Sequence, residues 1–163
     1  MKVLKYFFCL LLFAPSLGFA QIFTKADMAK SKEIQTGITK LVLKAGNNFE
    51  DLRGKILKKD KIIITYKAAP IVKMNAQNYT ITYYKVNGKS FYVTDYTEPH
   101  AMNIALICIG NMTADSNSNW ITTEAVFAEK DLQGAWLRYK GTIVGLIAEN
   151  VNQKKLTITI GIY

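Results

Sequence analysis

The chain has 163 residues, half of them hydrophobic and a fifth charged, with a formal net charge of +9. That apolar share supports a folded body and excludes a disordered chain. Two cysteines, Cys9 and Cys108, exclude a disulfide-rich toxin or growth-factor scaffold.

The first element is an export signal. Lys2 and Lys5 form a positive start, residues 6–19 form an apolar core of 14 residues, and Gly18-Phe19-Ala20 places small residues before Gln21. A membrane-spanning helix needs roughly 17–25 residues, so this core is too short to anchor the chain. Cys9 lies inside it behind Phe7 and Phe8, which does not suit lipid attachment. Cleavage after Ala20 is expected, giving an exported protein of the periplasm or exterior. Residues 21–163 would then form one globular domain with no membrane span. Cleavage removes two lysines and no acid, which lowers the charge to +7. It also leaves Cys108 as a lone thiol, so the core must hold the fold unaided.

Residues 24–45 read as an amphipathic helix. Ile34, Ile38, Leu41, Val42 and Ala45 form one stripe, and Lys30, Lys32, Lys40 and Lys44 fall mostly off it. Gly37 costs this helix about 1 kcal/mol relative to alanine, and Gly46-Asn47-Asn48 is its expected stop. Residues 49–60 mix both periodicities and read as a helical turn leading into a strand. A β-branched strand over 62–67 follows and ends at Pro70.

Residues 79–86 and 89–96 form a predicted hairpin around Asn87-Gly88. A two-residue turn would oppose Tyr84 to Phe91 and Thr82 to Val93 on one face, expected to be core. The other face would oppose Tyr83 to Tyr92, Ile81 to Thr94 and Tyr79 to Tyr96. Tyr79, Tyr83, Tyr92 and Tyr96 thus make a ladder suited to a half-wet binding surface, unless the first helix covers it.

Thr97-Glu98-Pro99 resembles a helix start, with threonine as the cap. Residues 100–112 are nearly all apolar and fit a buried helix or a buried strand equally. A polar loop at 113–119 precedes strands at 120–127, 135–140 and 142–149, with a turn at 131–134. After a loop at 150–153, Leu156, Ile158, Ile160 and Ile162 alternate with Thr157, Thr159 and Gly161, the pattern of a half-buried strand. The predicted fold class is α+β: an N-terminal amphipathic helix packed on a mostly antiparallel, twisted sheet, with a possible second buried helix. No internal repeat stands out.

Catalytic signatures are weak. The sequence holds no G-x-S-x-G, no S-x-x-K and no phosphate-binding glycine loop. His100 is the sole histidine, so sites needing several imidazoles are excluded, and no metal or cofactor is expected. Asp95, Glu98 and His100 cluster in sequence and are the candidates for a carboxylate-based site. In a helix His100 and Cys108 stand about 12 Å apart, too far for a nucleophile and its base. Cys108, between Ile107 and Ile109, reads as a buried, inert thiol. Arg53, Lys55, Lys58, Lys59 and Lys61 form a basic patch, which serves either an anionic partner or the protection of a sheet edge.

The reading these features support is a small exported, non-catalytic binding module that uses a sheet surface. An acidic protein or an anionic envelope component is the expected partner, and nucleic acid is not. An enzyme site around residues 95–100 and a carrier of a small apolar ligand enclosed by 101–110 are the alternatives.

Overall fold

The computed structural model describes residues 23–70, 76–114, 119–128, 132–149 and 154–162. The expected signal segment and the loop at 150–153 lie outside the described residues, as do parts of the loop at 113–119 and the turn at 131–134.

Among the described residues the first helix, α1, spans Lys25–Ala45. Thr24 begins it. Its hydroxyl accepts from the backbone N–H of Asp27 at 3.1 Å, and the Asp27 carboxylate accepts from the Thr24 N–H at 3.0 Å. This reciprocal pair satisfies two amide donors that a helix start leaves open. Ile34, Ile38, Leu41, Val42 and Ala45 are all buried, which confirms the stripe. The helix ends at Ala45, with its stop at 46–48 as expected. Gly46 keeps helical backbone angles, and the chain turns at Asn48 and Phe49, both left-handed. Phe49 is fully buried, and that burial offsets the strain of its backbone.

A single 3-10 turn, Glu50–Leu52, leads into β1 (Arg53–Lys59), as the mixed pattern suggested. β2 (Ile63–Ala68), β3 (Ala76–Tyr84) and β4 (Lys89–Thr97) follow. Residues 101–113 then form helix α2 (Ala101–Thr113), which decides against the buried strand. His100 holds the N-cap position without a side-chain capping bond, and Thr97 ends β4 instead of starting the helix. β5 (Trp120–Ala128), β6 (Leu132–Tyr139), β7 (Thr142–Glu149) and β8 (Lys155–Ile162) complete the fold. Leu132 to Gly134 belong to β6, so the expected turn there is strand.

Among the described residues the eight strands make one sheet in the order β1-β2-β3-β4-β8-β7-β6-β5, and every neighbouring pair is antiparallel. Each half is a helix followed by a four-strand meander, and the halves join through their last strands. The element order thus repeats, although no sequence repeat announces it. Both helices lie on the same side. α1 packs on α2 and over β8 and β7, while α2 lies over β7 and β6.

The inner face under the helices is aliphatic on β6 to β8. Leu137, Val144, Leu146, Leu156 and Ile160 are fully buried there. Each such side chain contributes about 1.5–3 kcal/mol by leaving water. On β2, β3 and β4 the inner face is filled by rings instead. Tyr92 packs on Phe49 with ring centres 5.9 Å apart, and Tyr79 meets Tyr96 edge-on at 6.4 Å.

That inner face carries the tyrosine ladder, so the two hairpin faces are exchanged relative to expectation. Tyr92 and Tyr96 are 1% and 2% exposed, and Tyr79 is packed against the core. The register differs as well. Tyr83 faces Ser90, Ile81 faces Tyr92 and Tyr79 faces Thr94, a shift of two residues. Its cause is the turn. A tight two-residue turn of this type needs both central residues left-handed. Only Gly88 is, with φ +68°. Asn87 uses its side chain to accept from the Lys89 N–H, and the Lys85 N–H is taken by Ile62 O of the neighbouring connection. The loop therefore widens to residues 85–88. A two-residue slip preserves which residues share a face, so the tyrosines still line up, but inside.

Candidate binding face

With both described helices on one side, the other face of the sheet carries none among the described residues. Register fixes what it displays. The row through its middle runs Thr80, Val93, Thr159, Gly145, Trp136 from β3 to β6. The row beside it runs Thr82, Phe91, Gly161, Ile143 from β3 to β7. Neither run contains a charge, and charges close their ends: Arg138 follows Ile143 on β6, Lys67 precedes Thr80 on β2, and Glu124 follows Trp136 on β5. An ordinary solvated face alternates with charged and strongly polar residues, and this centre has threonines, aliphatics and rings.

Two glycines shape it. A Cβ on Gly161 would lie 2.3 Å from the Phe91 ring, and a Cβ on Gly145 would lie 2.6 Å from the Trp136 ring. Both rings therefore lie across a neighbouring strand in seats that only glycine leaves open. Both rings are half-buried on this face. Tyr84 adds an edge-on contact to Phe91 at 5.8 Å and is itself exposed. The charges sit at the margin: the Thr157 hydroxyl donates to Asp95 at 2.8 Å, and Lys155 pairs with Asp95 at 3.3 Å.

These residues were not identified from sequence. Gly145 and Gly161, each inside an otherwise β-rich run, were the available signal, since an interior strand glycine marks close approach of another group.

The residues singled out from sequence are dispersed. Of the tyrosines, Tyr92 and Tyr96 belong to the core, and burial pushes the Tyr96 phenol well above its ordinary pKa. Tyr83 is half-buried, one of two rings flanking Arg53. Asp95, Glu98 and His100 face three different ways. Asp95 lies on the open face with Lys155, whereas Glu98 is buried and pairs with Lys30 of α1. His100 donates from Nδ1 to Asp27 at 2.9 Å. Among the described residues no group of three His, Cys, Asp or Glu side chains is arranged to hold a metal.

Asp27 is the hub of a helix-to-helix clamp. It is 2% exposed, and it accepts from Thr24, His100 and, at 3.4 Å, Asn103. Burial raises its pKa, but the hydrogen bonds from Thr24, His100 and Asn103 outweigh that and hold the carboxyl below the usual range. The clamp joins the starts of α1 and α2 and offers no open position to a substrate.

The basic patch divides. Arg53 is not free to meet a partner, because its guanidinium lies 5.1 Å from the ring centres of both Tyr66 and Tyr83 and donates to Asn48 O and Ser90 Oγ. Lys55, Lys58, Lys59 and Lys61 are exposed on edge strand β1 and its turn. Cys108 is fully buried beside Ser31, 3.3 Å away, and burial pushes its thiol up to about 11. It is poorly placed to act as a nucleophile at neutral pH. In the segment expected to enclose an apolar ligand, Ala101, Ile104, Ala105, Cys108 and Ile109 belong to the core at 0–1% exposure, and the residues between them are half-buried. A shallow groove lies elsewhere, between Val42 and Leu43 of α1 and Tyr139 and Ile162 of the sheet. No helix among the described residues is long and apolar enough to cross a membrane.

Compared with protein-family models, with curated proteins and with solved structures, the chain matches none.

Proposed function

We propose that this chain is an exported, non-catalytic binding module that holds its partner on the helix-free face of its sheet. The observation that carries this reading is the pair of rings, Phe91 and Trp136, seated over glycines beside an uncharged centre. Seating a ring in this way requires a glycine in a β-strand, which weakens the strand. A partner that contacts the rings gives that cost a purpose, since aromatic side chains dominate the centres of protein contacts. An acidic protein or an anionic envelope component suits the charge of +9, or +7 after cleavage behind Ala20. The periplasm or exterior remains the proposed compartment, on the strength of residues 1–20.

An enzyme built on Asp95, Glu98 and His100 is the weaker reading. General acid–base work needs its groups in one cleft, and these three are engaged with Lys155, Lys30 and Asp27.

The test is Thr159→Arg. Thr159 sits at the centre of the open face between Val93 and Gly145, and its side chain contributes nothing to the core. The variant is expected to fold normally by circular dichroism and to lose capture of the wild-type partner from envelope extract by about tenfold or more. A folded variant that captures the same partner equally well removes the open face from the interaction.

A further inference from the structure

At one corner of the sheet two turns stand side by side. They are the β1–β2 connection at 60–62 and the β3–β4 connection at 85–88. The Lys85 backbone N–H donates to Ile62 O at 2.9 Å, and the Lys85 ammonium donates to Asp60 O. The Asp60 carboxylate accepts from the backbone N–H groups of Ile62 and Ile63 at 2.8 and 2.7 Å, which fixes the shape of the first turn. Those backbone bonds, Ile63 first and Ile62 next, hold the Asp60 carboxyl below its ordinary range.

Two aliphatic side chains crown this corner. Ile62 is 58% exposed and Val86 is 83% exposed, while Leu57 is half exposed on the adjoining edge strand. Lys58, Lys59, Lys61, Lys85 and Lys89 surround them. Within residues 53–68 and 84–94 the one acid is Asp60, and it is already paired with Lys58 at 3.6 Å. Lysines on β1 are explained by protection of a sheet edge. That explanation covers neither the aliphatic tips nor Lys85 and Lys89, which lie off the edge.

We propose that this corner docks on an anionic lipid bilayer. Ile62 and Val86 enter the headgroup layer, and the lysine collar meets the lipid phosphates. Projecting turns of this kind need a matching hollow in a protein partner, whereas a fluid headgroup layer yields to them. Charge complementarity selects anionic over neutral lipid, at about 1 kcal/mol per lysine near the surface, equivalent to roughly fivefold in binding. Ile62 and Val86 lie in the turns beyond the strands of the open face, so the site stands whether or not that face binds a partner.

The experiment is co-sedimentation of the protein, in the form its cells accumulate, with phosphatidylcholine vesicles made with and without phosphatidylglycerol. Binding is expected only with phosphatidylglycerol present, and it should weaken as salt is raised. The double variant Lys59→Gln/Lys61→Gln should lose roughly 25-fold, and Ile62→Ser/Val86→Ser about tenfold. All four positions are exposed, so both variants should keep the wild-type circular dichroism. Equal binding to both vesicle types, or binding indifferent to both double variants, overturns the proposal. So does capture of polyglutamate by this corner without vesicle binding, which would make it a site for an acidic polypeptide.

Discussion

Tyr92→Ala will lower the unfolding free energy by about 3–5 kcal/mol, the cost of emptying a large buried aromatic site. Tyr92 is 1% exposed, rests on the rings of Phe49 and Tyr79, and donates its hydroxyl to Ala69 O at 3.3 Å. The substitution removes all of these contacts and leaves a carbonyl short of a donor. Urea unfolding followed by circular dichroism should show a large fall in midpoint with little change in slope. Phe91→Ala, one residue away on the opposite face, should cost clearly less, because Phe91 is only half-buried and lies over a glycine rather than in the core. The reverse order of effects would mean that the hairpin faces are assigned the wrong way round.

Asp27→Ala is the second large effect. It deletes half of the reciprocal cap at the start of α1 and removes an acceptor from His100 and Asn103 at the start of α2, for about 1–3 kcal/mol at neutral pH. The sign of its pH dependence follows from the lowered carboxyl pKa. A carboxylate that ionises more readily when folded contributes stability above its ordinary value of 3.8 and loses it as pH falls through its folded value. The gap between wild type and variant should therefore be widest near neutrality and shrink in acid below pH 3.8. Thermal unfolding midpoints measured across that range check it. A gap that grows in acid would contradict the clamp.

Much of the fold was legible because its signals are local. The α1 stripe is set by residues three and four apart, and the alternation of β8 by residues two apart. The apolar segment after Pro99 could not be assigned from its pattern alone, since helix and strand both bury such a run. What stayed hidden depends on long-range partners. β4 places large apolar residues on both faces, with Phe91 and Val93 on one and Tyr92 and Tyr96 on the other, so its own pattern cannot say which side meets a helix. The answer lies in β8, which pairs Tyr92 with Ile160 and Tyr96 with Leu156 some 60 residues away. His100 likewise looked available beside Asp95 and Glu98. Its partner is Asp27, 73 positions earlier in the chain. Arg53 read as part of a basic patch because its lysine neighbours are visible in sequence and its flanking rings, Tyr66 and Tyr83, are not adjacent to it.

The central claim is that the open sheet face, not the helical side, meets the partner. Its most direct measurement is site-specific photocrosslinking in the exporting cell, with benzoylphenylalanine placed at Thr159 in one strain and at exposed Thr36 of α1 in another. Discrete adducts from position 159 and none from position 36 are the expected result. Adducts from position 36 with none from position 159 would transfer the binding role to the helices and leave the seated rings unexplained.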